Sequence, residues 1–298
     1  MKNLLAFANE QRKSYSDMTP HSGRPEHLSE IKSVYVPAKD GEHKIPVEIY
    51  NPKSITDKNA PVIVFAHGGG FVSGDLQTHH VLAHTIAYNT KSVLVYIDYR
   101  LAPEFPFPIG LNDYTTVIEW VYNNSDALGI DKNRIALCGD SAGGNLAATA
   151  SMIARDQLSI PIAAQWLLYL FMADLNTDTN SWKQLGDMYF PTKDFFDLAK
   201  QAYLPNENVQ NIQYAAPLLG KHEGLPPAFI QVGSLDPLLD ENIKYNEVLN
   251  NAYVKSEIKV YENQTHGFIQ FFKNEEQNPK GLEAVQDGIA FLNKIFHK

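Results

Sequence analysis

Eight stretches of the chain gather β-branched and aromatic residues between turn residues, and they predict strands. They run over Ile31–Val36, Lys44–Tyr50, Pro61–Ala66, Ser92–Asp98, Arg134–Cys138, Ala163–Leu170, Pro227–Val232 and Glu257–Glu262. Two patterns separate among them. Val62-Ile63-Val64-Phe65 and Val93-Leu94-Val95-Tyr96 are continuous apolar runs, which suit central parallel strands covered on both faces. The first two stretches alternate instead and are joined by a turn at Lys39-Asp40-Gly41. They predict an antiparallel hairpin at one edge.

From the third strand onward, helical patterns fall between strands: Leu76–Asn89, Gly110–Asn124, Ala142–Gln157, Leu239–Ala252 and Pro279–His297. That alternation predicts an α/β fold built on a mostly parallel sheet with right-handed crossovers. Ligands of such sheets sit beyond the carboxyl ends of the strands. Two stretches stand outside the pattern. Residues 1–29 are polar, with a short helix expected over Asn3–Ser14. Residues 171–206 place Trp182, Tyr189, Phe190, Phe195, Phe196 and Tyr203 in a polar background. This insertion is either a helical excursion with its own apolar face or a lid over the rim, and the segment as a whole favours the lid.

A chain of 298 residues can be one large α/β domain, and the single-domain reading spans residues 1–298. A net charge of −9 argues against nucleic acid or an anionic membrane as partner. One cysteine excludes an internal disulfide and fits a reducing cytoplasm. Met1–Asn9 lacks the apolar h-region of a secretory signal, and no segment has the length of a membrane span. The last strand offers an edge that a homodimer partner or a covering segment would take up.

The chemistry begins at Gly139-Asp140-Ser141-Ala142-Gly143, where a buried strand meets a small-residue helix. Glycines on either side of the serine permit the tight turn that exposes its hydroxyl. On its own the motif reads equally as a glycine-rich turn carrying an ordinary serine. Its company shifts the balance. His266, in Thr265-His266-Gly267 after the last strand, is the expected base, since imidazole exchanges protons near neutrality. Asp236 follows the Pro227–Val232 strand and is the expected orienting acid. Asp240 competes for that role, but it lies in the next helix and is expected to interact with that helix's N-terminus. The order Ser, Asp, His is that of α/β-hydrolases.

The backbone N–H groups of Gly69, Gly70 and Ala142 are the expected oxyanion donors. A phosphate cradle at Gly68-Gly69-Gly70 ranks low because no Gly-Lys-Ser/Thr follows. His80 and His84 have helical spacing for zinc but lack the glutamate of an H-E-x-x-H motif, so no metal site is expected. Cys138 reads as a small buried hydrophobe.

By these motifs the chain resembles the hormone-sensitive-lipase-like carboxylesterases, the microbial family IV esterases of the α/β-hydrolase fold. His67-Gly68-Gly69-Gly70-Phe71 looks like that family's oxyanion loop. Asp98-Tyr99-Arg100-Leu101-Ala102-Pro103-Glu104 looks like its D-Y-R-L-A-P-E signature, and Gly139–Leu146 like its GDSAG-branch nucleophile turn. Asp236-Pro237-Leu238 and His266-Gly267-Phe268 look like its acid and base motifs.

The resemblance implies a catalytic set of Ser141, Asp236 and His266, an oxyanion hole of Gly69, Gly70 and Ala142, and no cofactor. It implies an eight-stranded sheet flanked by helices, with a small helical cap from residues 1–29 and 171–206. The implied substrate is a small or short-chain ester, cleaved through an acyl-enzyme. A deacetylase, amidase or peptidase with the same residues is the alternative. A non-catalytic ligand-binding homologue ranks lower, since the Ser, Asp and His set is complete. Three positions depart from the family pattern: Phe105 replaces a histidine, Thr78-His79-His80 replaces T-H-D, and Asn242 replaces a glycine.

Overall fold

The computed structural model describes residues 2–52, 59–172, 178–206 and 212–297. Residues 173–177 of the expected insertion lie outside the described residues. The strands are β1 (Glu30–Pro37), β2 (Lys44–Asn51), β3 (Ala60–Ala66), β4 (Val93–Ile97), β5 (Ile130–Asp140), β6 (Ala164–Leu168), β7 (Ala228–Gly233) and β8 (Ser256–Tyr261). The helices are α1 (Lys2–Met18), α2 (His80–Thr90), α3 (Ile109–Asn123), α4 (Ser125–Leu128), α5 (Ala142–Ile153), α6 (Asn180–Leu185), α7 (Lys193–Tyr203), α8 (Leu239–Asn251) and α9 (Gly281–Phe296).

All eight strands join one sheet in the order β1-β2-β4-β3-β5-β6-β7-β8. β1 and β2 form the expected antiparallel hairpin, β2 also runs antiparallel to β4, and every later pairing is parallel. The continuous apolar runs of β3 and β4 are explained by burial on both faces. Val62, Val64, Val93 and Val95 point to one side, where they meet α3 and α5 residues such as Tyr114, Ile118 and Leu146. Ile63, Phe65, Leu94 and Tyr96 point to the other, against Leu82 and Ile86 of α2 and Val285 and Leu292 of α9. An alternating pattern could not have filled both layers.

Several boundaries differ from expectation for local reasons. β5 begins at Ile130 rather than Arg134, because Ile130 pairs with Ala60 across an irregularity in the β3–β5 ladder. β6 ends at Leu168 because Tyr169 has φ 36°, which breaks the extended backbone. α2 starts at His80, not Leu76: the Asp75 carboxylate accepts the N–H groups of Gln77 and Thr78 and holds them in a turn. α1 is longer than expected, and its last turns carry a Lys13–Asp17 pair at i,i+4 spacing.

Helix α1 is fastened from a distance. Arg12 donates to both carboxylate oxygens of Glu104, at 2.7 and 2.8 Å, and to the carbonyls of Val72 and Ala102. This grip lays one face of α1 over the carboxyl-terminal rim of the sheet. On the other side of the rim Phe195 of α7 meets Phe7 of α1 edge-on, with ring centroids 5.7 Å apart. Among the described residues no helix is long and apolar enough to cross a membrane.

Candidate active site

Ser141 stands between the end of β5 and the first residue of α5 with φ 52° and ψ −117°, a conformation that strains any residue with a side chain. The strain persists because the turn is held on both flanks. Ser141 N–H donates to Leu168 O at 2.8 Å, and its carbonyl accepts from Phe171 and Asn145. A Cβ on Gly143 would collide with the Ala66 carbonyl, and one on Gly139 with the Gly143 carbonyl. The two glycines are therefore required by close backbone approach as much as by flexibility.

The predicted partners reach the serine. His266 Nε2 lies 2.9 Å from Ser141 Oγ, and His266 Nδ1 lies 2.8 Å from Asp236 Oδ2. Asp236 is fully buried, and its other oxygen accepts the Leu238 N–H at 2.9 Å. A carboxylate so placed accepts from Nδ1–H, which leaves Nε2 free to accept the serine proton. The His266 ring is held from the side by Tyr169, at a centroid distance of 4.6 Å. Asp240 does not compete. It lies in the first turn of α8, as expected, and its carboxylate also accepts the Ser181 N–H of α6 at 2.9 Å.

Gly69, Gly70 and Ala142 also come to the serine's side. Gly69 and Gly70 have φ values of 115° and 61° and border the same cavity as Ser141 and His266. Ala142 is the first residue of α5, where N–H groups have no partner within the helix and the dipole favours negative charge. None of these three N–H groups has an acceptor among the described residues.

The cavity over Ser141 encloses about 410 Å³, enough for a small ligand. One wall is the polar face of α1, with Gln11, Ser14 and Tyr15; the opposite wall is Phe190, Pro191 and Phe195. Asp140 is the one charged side chain among its described lining residues apart from the titratable His266. The insertion's aromatics thus divide. Phe190 and Phe195 face the cavity, whereas Phe196 is buried between Phe171 and Trp182.

The family departures have local explanations. Phe105 packs beneath the Arg100 guanidinium, 5.3 Å from its ring centroid, and edge-on to His43. Asn242 accepts the Leu170 N–H and donates to the Leu170 carbonyl, tying α8 to the chain after β6. Glu241 beside it is buried, accepting from Met172 N–H and Trp182 Nε1–H; burial pushes its carboxyl well above the ordinary range. Three residues that pattern did not single out as functional, Tyr15, His79 and Asp140, also meet at this rim. The available signals were Asp140's place inside the serine motif and His79's in Thr78-His79-His80.

His80 and His84 each approach a backbone carbonyl, of Gln77 and Glu26. Among the described residues no group of three or more His, Cys, Asp or Glu side chains is disposed to hold a metal ion. Cys138 is buried, and burial pushes its thiol well above its ordinary value.

Asp98, the first residue of the D-Y-R-L-A-P-E stretch, carries a pH prediction. Burial, with Asp75 and Glu48 adding repulsion, raises its carboxyl to about 6. An unfolded aspartate titrates near 4. The folded state therefore binds this proton more tightly, and the stability it contributes is present below about pH 4 and lost as pH rises to about 6. Asp98→Asn should raise the melting temperature at pH 8, with the gain shrinking towards pH 4. A gain that grows on acidification contradicts this.

A family model described as the alpha/beta hydrolase fold matches residues 63–270. Carboxylesterase NlhH of Mycobacterium tuberculosis is 36% identical over 284 residues, covering 94% of this chain and 86% of its own. The chain belongs to the hormone-sensitive-lipase-like branch of the α/β-hydrolase fold family. Esterase LipI of the same organism is 35% identical, over 85% of this chain and 79% of its own. Among solved structures, the thermostable carboxylesterase EstE1 from a metagenomic library superposes with a TM-score of 0.90 at 29% identity, covering 97% of both chains. An esterase from the archaeon Pyrobaculum calidifontis gives 0.88 at 30% identity, covering 98% of this chain and 93% of that one. The eight-stranded sheet and its flanking helices are thus those of the α/β-hydrolase family.

Proposed function

We propose that this carboxylic ester hydrolase cleaves small, neutral, short-chain esters by forming and hydrolysing an acyl-Ser141 intermediate. The observation that carries the reading is the unbroken chain from Asp236 through His266 to Ser141, at 2.8 and 2.9 Å, beside three N–H groups without acceptors among the described residues. Ser141 Oγ attacks the ester carbonyl carbon as its proton passes to His266 Nε2. The carbonyl oxygen takes the negative charge and is met by Gly69, Gly70 and Ala142 N–H, each such donor being worth roughly 10²–10³ in turnover. His266 then returns its proton to the leaving alcohol. Water, deprotonated by the same imidazole, releases the acid. Asp236 holds the ring in place and balances the imidazolium charge.

The small-substrate reading rests on cavity size, and the neutral-substrate reading on the absence of a lysine or arginine among the cavity's described lining residues. We infer that α1 and the insertion of residues 171–206 act as a cap, since both contribute to that lining. A series of p-nitrophenyl acetate, butyrate, decanoate and palmitate tests this. Highest kcat/KM on acetate or butyrate is expected; no hydrolysis, or a maximum at palmitate, overturns it. Phe190→Ala and Phe195→Ala should raise the decanoate-to-butyrate ratio by about tenfold. Phe196→Ala should instead cost about 3–5 kcal/mol of stability and leave that ratio alone. Equal ratios in all three variants would make the aromatic wall structural only.

The half-exposed edge strand β8 supports a homodimer seam at this edge, and a monomer mass by light scattering argues against it. The buried lone thiol supports residence in a reducing cytoplasm, which fractionation of cells tests.

A further inference from the structure

A second chain of hydrogen bonds runs from helix α1 to the oxyanion loop without passing through Ser141. It begins at Tyr15. The Tyr15 hydroxyl donates to Gln270 Oε1 at 2.8 Å, and Gln270 Nε2 donates to the Thr78 carbonyl at 3.1 Å. Burial, with Asp140 adding to it, pushes the Tyr15 phenol well above its ordinary value, so it stays protonated and keeps that donation. With its proton committed to Gln270, the phenol oxygen can only accept at His79 Nε2, 3.3 Å away. His79 Nε2 is therefore protonated, and it also faces Asp140 Oδ2 at 3.1 Å. The other oxygen of Asp140 accepts the Gly68 N–H at 2.8 Å. Both side chains of the His79–Asp140 pair are buried.

The chain ends where the proposed reaction needs rigidity. Gly68 precedes Gly69 and Gly70, and the Asp140 carboxylate lies so close over it that a Cβ there would stand 2.5 Å from Oδ2. Fixing the Gly68 N–H fixes the peptide plane that leads into the two donors. A carboxylate bordering the cavity beside a developing oxyanion would be unfavourable if it stood alone. Its two partners, the Gly68 N–H and the His79 Nε2–H, draw its charge away from the reacting oxygen.

We propose that Asp140 and His79 are positioning residues that set the oxyanion loop, and that Tyr15 couples the docking of α1 to them. The proposal rests on the acyl-Ser141 reading. The cap helix then does more than wall the cavity: when α1 is seated by Arg12, Tyr15 completes the set of bonds that holds the donors in place.

The test compares Asp140→Ala, Asp140→Asn and Tyr15→Phe with the unaltered chain, using p-nitrophenyl butyrate and an aryl trifluoromethyl ketone. Ser141 Oγ adds to the ketone carbon, its proton goes to His266, and the carbonyl π pair becomes an oxyanion that reads the donors directly. Asp140→Ala should lower kcat about 10²-fold with KM within about threefold. Ketone affinity should fall in proportion to kcat/KM. Asp140→Asn should lose only part of this, about three- to tenfold in kcat and ketone affinity together, because its carbonyl still accepts the Gly68 N–H while its amide NH2 cannot accept from His79 Nε2–H. Tyr15→Phe should lower kcat and ketone affinity together by about three- to tenfold, with KM unchanged. An Asp140→Ala protein with kcat within about threefold of the unaltered chain, or one whose KM alone rises, overturns the positioning role. A Tyr15→Phe protein indistinguishable in kcat and ketone affinity overturns the coupling. Should Asp140→Ala fail to fold, Asp140→Asn decides: a loss in kcat matched by ketone affinity supports the role, and no loss in either overturns it. If the unaltered chain neither hydrolyses the ester nor binds the ketone, the acyl-Ser141 reading itself has failed; if it does both, only the positioning inference is at stake.

Discussion

Ser141→Ala is expected to turn over p-nitrophenyl butyrate about 10⁶-fold more slowly than the unaltered chain, with a melting temperature close to the original. The size of the loss follows from the chemistry. Without Oγ, His266 Nε2 has no nucleophile to deprotonate, and what remains is the help given by the N–H donors and by binding alone. The stability expectation follows from the structure. The turn is held by the Ser141 backbone bonds to Leu168, Phe171 and Asn145, none of which involves the hydroxyl. A residual activity within about a hundredfold of the original would mean that another group, or water, performs the attack.

Asp236→Asn is the second large effect, a fall in kcat of about 10⁴-fold. The asparagine can offer its amide N–H to His266 Nδ1, which stabilises the tautomer carrying its proton on Nε2. That nitrogen then faces Ser141 as a donor and cannot take the proton. Asp240→Asn should leave kcat near its original value, because Asp240 is occupied with the Ser181 N–H of α6. Stopped-flow or steady-state turnover of the two variants separates them, and the reverse ranking would move the orienting acid to Asp240.

Much of this arrangement is legible in the sequence. The strands of an α/β sheet buried on both faces announce themselves as unbroken apolar runs, and β3 and β4 do so plainly. Ser141, Asp236 and His266 each follow a strand, so a parallel sheet delivers them to one rim without knowledge of any contact. What escaped was set by side chains meeting across long separations. Asp140 and His79 are 61 residues apart, and Tyr15 and Gln270 are 255 apart. No local period marks such pairs. The aromatic insertion shows the same limit: composition put Phe190, Phe195 and Phe196 together, and only packing separates the two that face the cavity from the one that fills the core. Boundaries shifted for equally local causes, the Asp75 side-chain turn before α2 and the positive φ of Tyr169 after β6.

Acylation at Ser141 Oγ is tested most directly by peptide-level mass spectrometry after treatment with a fluorophosphonate. The folded, unaltered chain should lose its esterase activity in step with a single phosphonyl adduct on the peptide that carries Ser141, and the Ser141→Ala protein should take up none. Loss of activity with the adduct on any other residue, or full activity with Ser141 modified, contradicts the account.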